Sequence, residues 1–330
     1  MESCLATLML EPELMLGPEE NPAQHPLPML TGNGDLWLGH FAAMASECEV
    51  LIEGVDEAQA LALLMIAAKE AWRIEHKFSR YVAGNIINRI NTSAGQVIEV
   101  DPETALLLNF ADQCYQLSDG LFDISSGVLR KIWRFDGSDT VPESVQINDM
   151  LNHIGWHKVN WQAPNLSFPK DMELDFGGIG KEYAVDRVML LINAEVARVS
   201  TSGTLSNCRF VVNFGGDLAC SGPRLDGSPW TIGVEGSDRD KSAVATVSLS
   251  QGAVATSGDS RRYLLKEGIR YSHILNPLTG KSVIDAPHAI SVAAASCMQA
   301  GMLSTFAMLQ GEHAEAFLEA QEVQYWLQRD

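Results

Sequence analysis

Residues 174–187, LDFGGIGKEYAVDR, decide how the rest of the chain is read. An apolar strand runs into a Gly-Gly turn, and Lys181 follows just where a helix should begin. Such a junction suits an anion. Glycines let main-chain N–H groups come close, the helix N-terminus adds partial positive charge, and the lysine adds a full one. The spacing is neither that of a Walker loop nor that of a G-x-G-x-x-G dinucleotide turn. By itself the stretch fits a ligand loop and an ordinary strand-to-helix turn equally well, so its surroundings have to decide.

On the N-terminal side, FAAMASECEVLIE (41–53) reads as a first strand entered through a small-residue loop at Met44 to Ser46. Asp56 caps a long amphipathic helix with Leu61, Leu64, Ala68, Trp72 and Phe78 on its apolar face. FSRYVAGNIINRIN then breaks the period, Asp101-Pro102 starts a second helix and Asp119-Gly120 stops it. On the C-terminal side come short β-rich runs: RFVVNF, PWTIGVEG, ATVSLS and AVATSG. RRYLLKEGIRYSHIL reads as a hairpin turning at Glu267-Gly268. AISVAAA is a further strand, followed by a helix over roughly 298–309, a short helix and the strand VQYWLQ. Strands and helices mix without regular alternation, which predicts an α+β fold and not a doubly wound sheet. Residues 1–34 are expected to be a poorly ordered tail, 35–330 a single domain, and the Ser/Thr-rich 200–206 a surface loop.

The 330 residues, 46% of them hydrophobic, can bury a large core. A formal charge of −19 argues against nucleic acid and against an anionic membrane surface, both of which call for clustered Lys and Arg. No apolar run is long enough to span a bilayer. The first residues carry no basic leader, so a cytoplasmic location is expected. The six cysteines are scattered without a C-x-x-C, which predicts buried free thiols and no disulfide framework or zinc site. His153 and His157 flank Gly155 with no acidic third ligand at metal spacing, so no metal is expected there.

Four further clusters bear on chemistry. SDGLFDISSGVLRKIW (118–133) has small residues and Asp123 in a possible ligand-lining loop, though turn chemistry explains them as well. VNFGGDLACSG (212–222) places Gly-Gly-Asp after an apolar strand. ATSGDSRRY (255–263) offers Ser257 and Gly258 as donors and Arg261 or Arg262 as a phosphate partner. In YSHILNPLTGKSV (271–283), His273 sits at a strand end before an Asn-Pro turn, a position suited to a general base.

Taken in order, these clusters resemble the FAD:protein FMN transferase family (ApbE type) over roughly residues 40–312. The landmarks are the Met loop at Met44, S-x-Y as Ser79-Arg80-Tyr81, and G-x-F-D as Gly120-Leu121-Phe122-Asp123. The central D-x-G-G-I-x-K runs from Asp175 through Gly177, Gly178, Ile179 and Gly180 to Lys181, and N-x-G-G-D from Asn213 to Asp217. A-T-S-G-D spans Ala255 to Asp259, and H-I-x-[DN]-P-x-T-G spans His273 to Gly280. The resemblance implies an α+β fold holding FAD between the N-terminal part and the Gly-rich loops. It also implies a Mg²⁺-dependent reaction in which a Ser or Thr hydroxyl of a target flavoprotein attacks the FMN-side phosphorus of FAD and AMP leaves. On that reading the amides around Gly177, Gly178 and Gly180, with Lys181, hold the pyrophosphate. Met44 and Tyr81 pack on the flavin or adenine. Phe122, Asp123, Asp175, Ile179, Ser257 and Gly258 complete the pocket, and His273 is the base. The carbonyl of Gly180 and Thr305 bind the metal.

One departure stands out. Where the family's last helix begins like A-D-A-L-S-T, with Asp and Thr binding Mg²⁺ from one turn apart, this chain reads Ala300-Gly301-Met302-Leu303-Ser304-Thr305. Glu182 in turn stands after the lysine where the family has Gly, and Gly180 replaces an Ala. Loss of the anionic ligand weakens a Mg²⁺ site without abolishing it, and Asp285 or Glu182 are the candidates to replace it. The readings left open are therefore an FMN transferase, a flavin-binding carrier or partner that has lost transfer, and an FAD pyrophosphatase giving AMP and FMN.

Overall fold

The runs rich in Val, Phe and Ala alternate between two apolar faces, as strands buried on both sides must. In the computed structural model, which describes residues 25–136, 138–200, 207–235, 243–259 and 263–329, they assemble around one antiparallel sheet. In chain order the strands are β1 (Met29–Gly32), β2 (Leu36–Ala43), β3 (Ser46–Glu53), β4 (Ile98–Glu99), β5 (Asn160–Gln162), β6 (Asn165–Ser167), β7 (Arg209–Phe214) and β8 (Asp217–Cys220). There follow β9 (Trp230–Glu235), β10 (Ala243–Leu249), β11 (Gly252–Gly258), β12 (Tyr263–Lys266), β13 (Ile269–Ser272), β14 (Ala289–Ala294) and β15 (Gln324–Gln328). The main sheet has eight strands in the order β1-β2-β3-β7-β8-β11-β14-β15.

The helices are α1 (Glu57–Phe78), α2 (Ile86–Asn91), α3 (Pro102–Leu117), α4 (Ser144–Leu151), α5 (Gly180–Ser200), α6 (Cys297–Leu309) and α7 (Ala314–Ala320). Along β7, Phe210, Val212 and Phe214 face the core shared with α1, α5 and α6, while Val211 faces the other side. There Leu218, Cys220 and Val254 pack under the hairpin of β9 and β10 through Trp230, Val247 and Leu249. A third cluster, Val128, Leu129, Trp133, Ile147, Ile154 and Leu264, joins the 3₁₀ turn Ile124–Lys131 to α4 and the β12–β13 hairpin. The expected α+β class is what the chain adopts.

Local signals act as read. Asp56 closes a capping box with Gln59 at the start of α1, and Asp101 accepts from the amides of Glu103 and Thr104 ahead of Pro102. Glu267 and Gly268 take the positive φ of a two-residue hairpin. Three expectations shift. Met29–Gly32, inside the stretch expected to be a tail, pairs with Trp37 to His40 as the edge strand of the sheet, while residues 1–24 lie outside the described ones. Residues 41–53 are the end of β2, a tight turn at Met44-Ala45 and then β3. Leu61 is exposed, because the buried stripe of α1 runs through Ala60, Leu63, Leu64, Ala67, Ala68 and Ala71, one residue around the helix.

A buried charge cluster ties α1, α3 and α5 together. Glu103, fully buried, receives Arg73 at 2.6 and 2.8 Å, Lys77 at 2.6 Å and the Tyr183 hydroxyl at 2.7 Å. Arg73 also grips Glu70, which takes Arg187 at 3.2 Å. The described cysteines, Cys48, Cys114, Cys208, Cys220 and Cys297, are buried free thiols as expected, whereas Cys4 and the stretch 201–206 lie outside the described residues. No described helix is long and apolar enough to cross a membrane.

Candidate functional site

The Gly-Gly turn delivers α5 to one end of the main sheet. The Gly177 amide bonds Asp175 Oδ1 at 2.9 Å, and the Ile179 and Gly180 amides bond the Phe176 carbonyl at 3.0 and 2.8 Å. The turn therefore uses three of its own donors. Among the described residues the amides of Gly178 and Lys181 remain without a partner, as donors in a helix's first turn do. This narrows the expected cradle, because Gly177 and Gly180 do not offer their N–H groups outward. Gly180 instead leaves room: a Cβ there would meet nothing within 4 Å. Beneath the turn, the buried Phe122 ring lies 3.4 Å from where a Gly178 Cβ would stand and leans on Phe306 at 5.9 Å.

Two hairpin turns frame the cation of this cradle. Met44-Ala45 joins β2 to β3, and Gly215-Gly216 joins β7 to β8. Gly215 has φ +64 and sits so close to Ser46 that a Cβ would lie 2.7 Å from its Oγ and 4.0 Å from Lys181 Nζ. Lys181 Nζ donates to Asp217 Oδ2 at 2.6 Å, and Asp217 Oδ1 accepts the Thr256 amide at 3.2 Å. Burial alone would lower the lysine's pKa, but Asp217 and Glu182 hold it above its ordinary value, so it is a cation at neutral pH.

Next to it, β11 meets α6. Ser257 Oγ lies 2.8 Å from Ser304 Oγ and 2.9 Å from Thr305 Oγ1. Asp186, one turn beyond Glu182, accepts the Cys297 and Met298 amides at 2.8 and 2.9 Å and so docks the N-terminus of α6 onto α5. Burial raises its carboxyl to about 6 although both amides pull the other way. Glu182 is buried against Gly301, and its Oε2 has no hydrogen-bond partner among the described residues. Burial, reinforced by Asp217, pushes its pKa up. No three His, Cys, Asp or Glu side chains converge as a metal-binding group among the described residues. A cation here would therefore rely on hydroxyl, main-chain, phosphate and water oxygens beside a single carboxylate, a donor set that suits Mg²⁺.

Other expected residues are placed as follows. Asp175 is held by Arg80 at 3.2 Å, with Arg130 at 3.8 Å, and Arg80 also donates to the Gly127 carbonyl. Tyr81 stands exposed over Arg80, an aromatic face open to a planar partner. The Asp123 carboxylate accepts from Ser125 and the Trp156 amide and so shapes the 3₁₀ turn. Gly258 packs against the His288 carbonyl, and Asp259 binds Arg270 at 2.7 and 3.0 Å. That pair ties β13 to the end of β11, and His273 follows three residues after Arg270, its ring edge-on to Phe135 at 6.2 Å. Asp285 is exposed and lines a groove with Leu309, Gln310 and Glu312, beyond the C-terminal end of α6. Arg261 and Arg262 lie outside the described residues.

Reading residues singly missed Asp217, Asp186 and Asp259. Asp217 had a signal in the Gly-Gly-Asp that follows an apolar strand, but Asp186 had none beyond its i,i+4 spacing from Glu182. The Arg80–Asp175 arrangement makes a prediction of its own. A Cβ on Gly127 would stand 2.6 Å from Asp175 Cβ and 3.0 Å from Arg80 Nη1. Gly127→Ala should therefore cost about 1–3 kcal/mol in urea unfolding, as overpacking does. A variant as stable as the parent would show that the contact yields freely.

The geometry has counterparts in known proteins. The FAD:protein FMN transferase of Vibrio cholerae is 28% identical over 258 residues, covering 76% of this chain and 74% of that protein. The crystal structure of the ApbE protein from Thermotoga maritima superposes with a TM-score of 0.77 at 27% identity, covering 88% of this chain and 94% of that one. The apo flavinyl transferase ApbE of Pseudomonas stutzeri gives 0.74 at 26% identity, covering 91% of each chain. The model of the ApbE family matches residues 44–327, from the Met44 turn to the last strand. The chain belongs to the ApbE family.

Proposed function

We propose that this protein is an enzyme that transfers the FMN half of FAD to a Ser or Thr hydroxyl of a target flavoprotein, with Mg²⁺ bound beside the pyrophosphate and AMP released. The observation that carries this reading is the cradle itself. Lys181 is held as a cation by Asp217 at the open mouth of the Gly178–Gly180 turn, with unbonded amides beside it and hydroxyls of Ser257 and Thr305 on the adjoining elements. Membership of a family whose relatives bear the name FAD:protein FMN transferase supports the same reading.

In this reaction the acceptor oxygen forms a bond to the FMN-side phosphorus, and the phosphorus–oxygen bond to AMP breaks. Lys181 and the amides of Gly178 and Lys181 fix the pyrophosphate so that attack is in line. His273 takes the proton of the attacking hydroxyl; Asp259 and Arg270 hold its strand against the end of β11. Tyr81 and Met44 provide apolar faces for the ring systems. Mg²⁺, held by oxygens such as the Gly180 carbonyl and the Thr305 hydroxyl, supplies neutralisation of phosphoryl charge when bound.

The test is AMP release, read by chromatography, together with in-gel flavin fluorescence after incubation with FAD, Mg²⁺ and a pool of Ser/Thr-containing peptides. Flavin on peptide with stoichiometric AMP is expected. AMP and free FMN without labelled peptide would identify a pyrophosphatase, and no AMP with FAD bound would identify a carrier. His273→Asn should lower peptide labelling by about 10²–10⁴-fold while FAD binding holds. Undiminished labelling would remove the histidine from the mechanism.

A further inference from the structure

Two departures from the family pattern, a carboxylate gained at 182 and one missing at 301, meet at one point in space. A Cβ built on Gly301 would stand 2.5 Å from Glu182 Cγ, 2.6 Å from its Oε1 and 2.9 Å from its Cδ. The Oε1 separation is close to that of an aspartate oxygen from its own Cβ. The Glu182 side chain, arriving from α5, thus fills the volume that a side chain from α6 would occupy, and the two cannot both keep that position. The exchange reads as one change and not two.

The chemistry of the surroundings points the same way. Two other carboxylates act on Glu182 through their charge, and both are satisfied: Asp217 by Lys181 and the Thr256 amide, Asp186 by the amides of Cys297 and Met298. Glu182 is only 9% exposed, and its Oε2 is buried without a partner among the described residues. A carboxylate left so is costly unless a cation or a proton completes it. Lys181, the cation next to it in sequence, is engaged with Asp217 at 2.6 Å. One turn along α6 from Gly301 lie the hydroxyls of Ser304 and Thr305, hard oxygen donors joined to Ser257. Asp285, the other carboxylate that sequence offers, is exposed beyond the far end of the same helix.

We propose that Glu182 supplies, from α5, the cation-binding carboxylate that Gly301 lacks on α6, so that this chain builds its metal site from two helices. The inference rests on the transferase reading for the identity of the cation, Mg²⁺, but its test does not depend on turnover. Mn²⁺, titrated alone and followed by electron paramagnetic resonance, reports the site directly, and calorimetry with Mg²⁺ repeats the measurement. The near-isosteric Glu182→Gln should fold and bind either ion at least about tenfold more weakly, since even groups behind a ligand cost that much. Glu182→Gly should lose the same affinity, and Glu182→Gly/Gly301→Asp, which moves the carboxylate back to α6, should regain most of it.

Parental affinity in Glu182→Gln overturns the proposal. So does a folded double variant that regains none of the affinity that Glu182→Gly lost. FAD binding by flavin fluorescence separates the two claims. A parent that binds Mn²⁺ through Glu182 but binds no FAD keeps this site and sinks the transferase reading. A parent that binds and turns over FAD with no dependence of Mn²⁺ affinity on Glu182 does the reverse.

Discussion

Lys181→Met is expected to lower FAD turnover by about 10²–10³-fold, the effect of removing one preorganised charge donor at a phosphoryl centre. Methionine keeps the stem and removes the ammonium. The same change strips Asp217 of its cationic partner, and that carboxylate is almost wholly buried. Leaving a buried charge unpaired costs about 3–5 kcal/mol, so the single variant should also melt early. Lys181→Met/Asp217→Asn separates the two effects. Without the orphaned charge the melting temperature should recover, while turnover should not. A folded double variant with parental turnover would show that the lysine serves the fold alone. The pH dependence has a definite sign. The folded pKa of Lys181 lies above its unfolded value, so its stabilisation is complete below the unfolded value and is lost only as pH rises through the folded one.

Glu103→Gln is the second large effect, and it acts on stability. Glu103 joins Arg73 and Lys77 of α1 to Tyr183 of α5 from the first turn of α3. Burial would raise its pKa, but the hydrogen bonds and charges of Arg73 and Lys77 outweigh burial and hold it at about 2. The folded pKa lies below the unfolded one, so the stabilisation is present above the ordinary glutamate range and disappears as pH falls from there through about 2. The shift corresponds to about 3 kcal/mol, and removing one member of a buried ionic group costs about 3–5 kcal/mol. Urea unfolding should show that loss at pH 7 and a shrinking gap between variant and parent toward pH 2–3. An equal gap at both ends would assign the loss to packing. Because Tyr183 lies one turn into α5, the variant should also loosen the helix that carries Lys181.

Much of this architecture is legible in the chain. Alternation along RFVVNF and AVATSG predicts strands buried on both faces, because side chains of period two must divide between two apolar layers. Capping by Asp56 and Asp101 and the Glu267-Gly268 turn are local matters of backbone donors and positive φ. Less local features are not legible. Met29–Gly32 has no pattern of its own and is a strand because β2 offers it an edge. Leu61 matches the helical period as well as Ala60 does, and only the position of the sheet selects between adjacent stripes.

The site divides along the same line. Sequence alone offered a Gly-Gly turn with a lysine at the start of a helix, a Gly-Gly-Asp after an apolar strand and, through the family resemblance, an expected carboxylate missing at 301 and one added at 182. These depend on residue type and order. Tertiary structure decided that the lysine pairs with Asp217, that Gly177 and Gly180 use their amides within the turn, and that Asp123 serves as a cap. It also decided that Glu182 of α5 lies where a side chain from Gly301 of α6 would be. Pairings such as Lys181 with Asp217, 36 residues apart in the chain, or Glu182 with Gly301, farther apart still, depend on distances between elements, and packing of the core against the sheet, not local propensity, sets those distances.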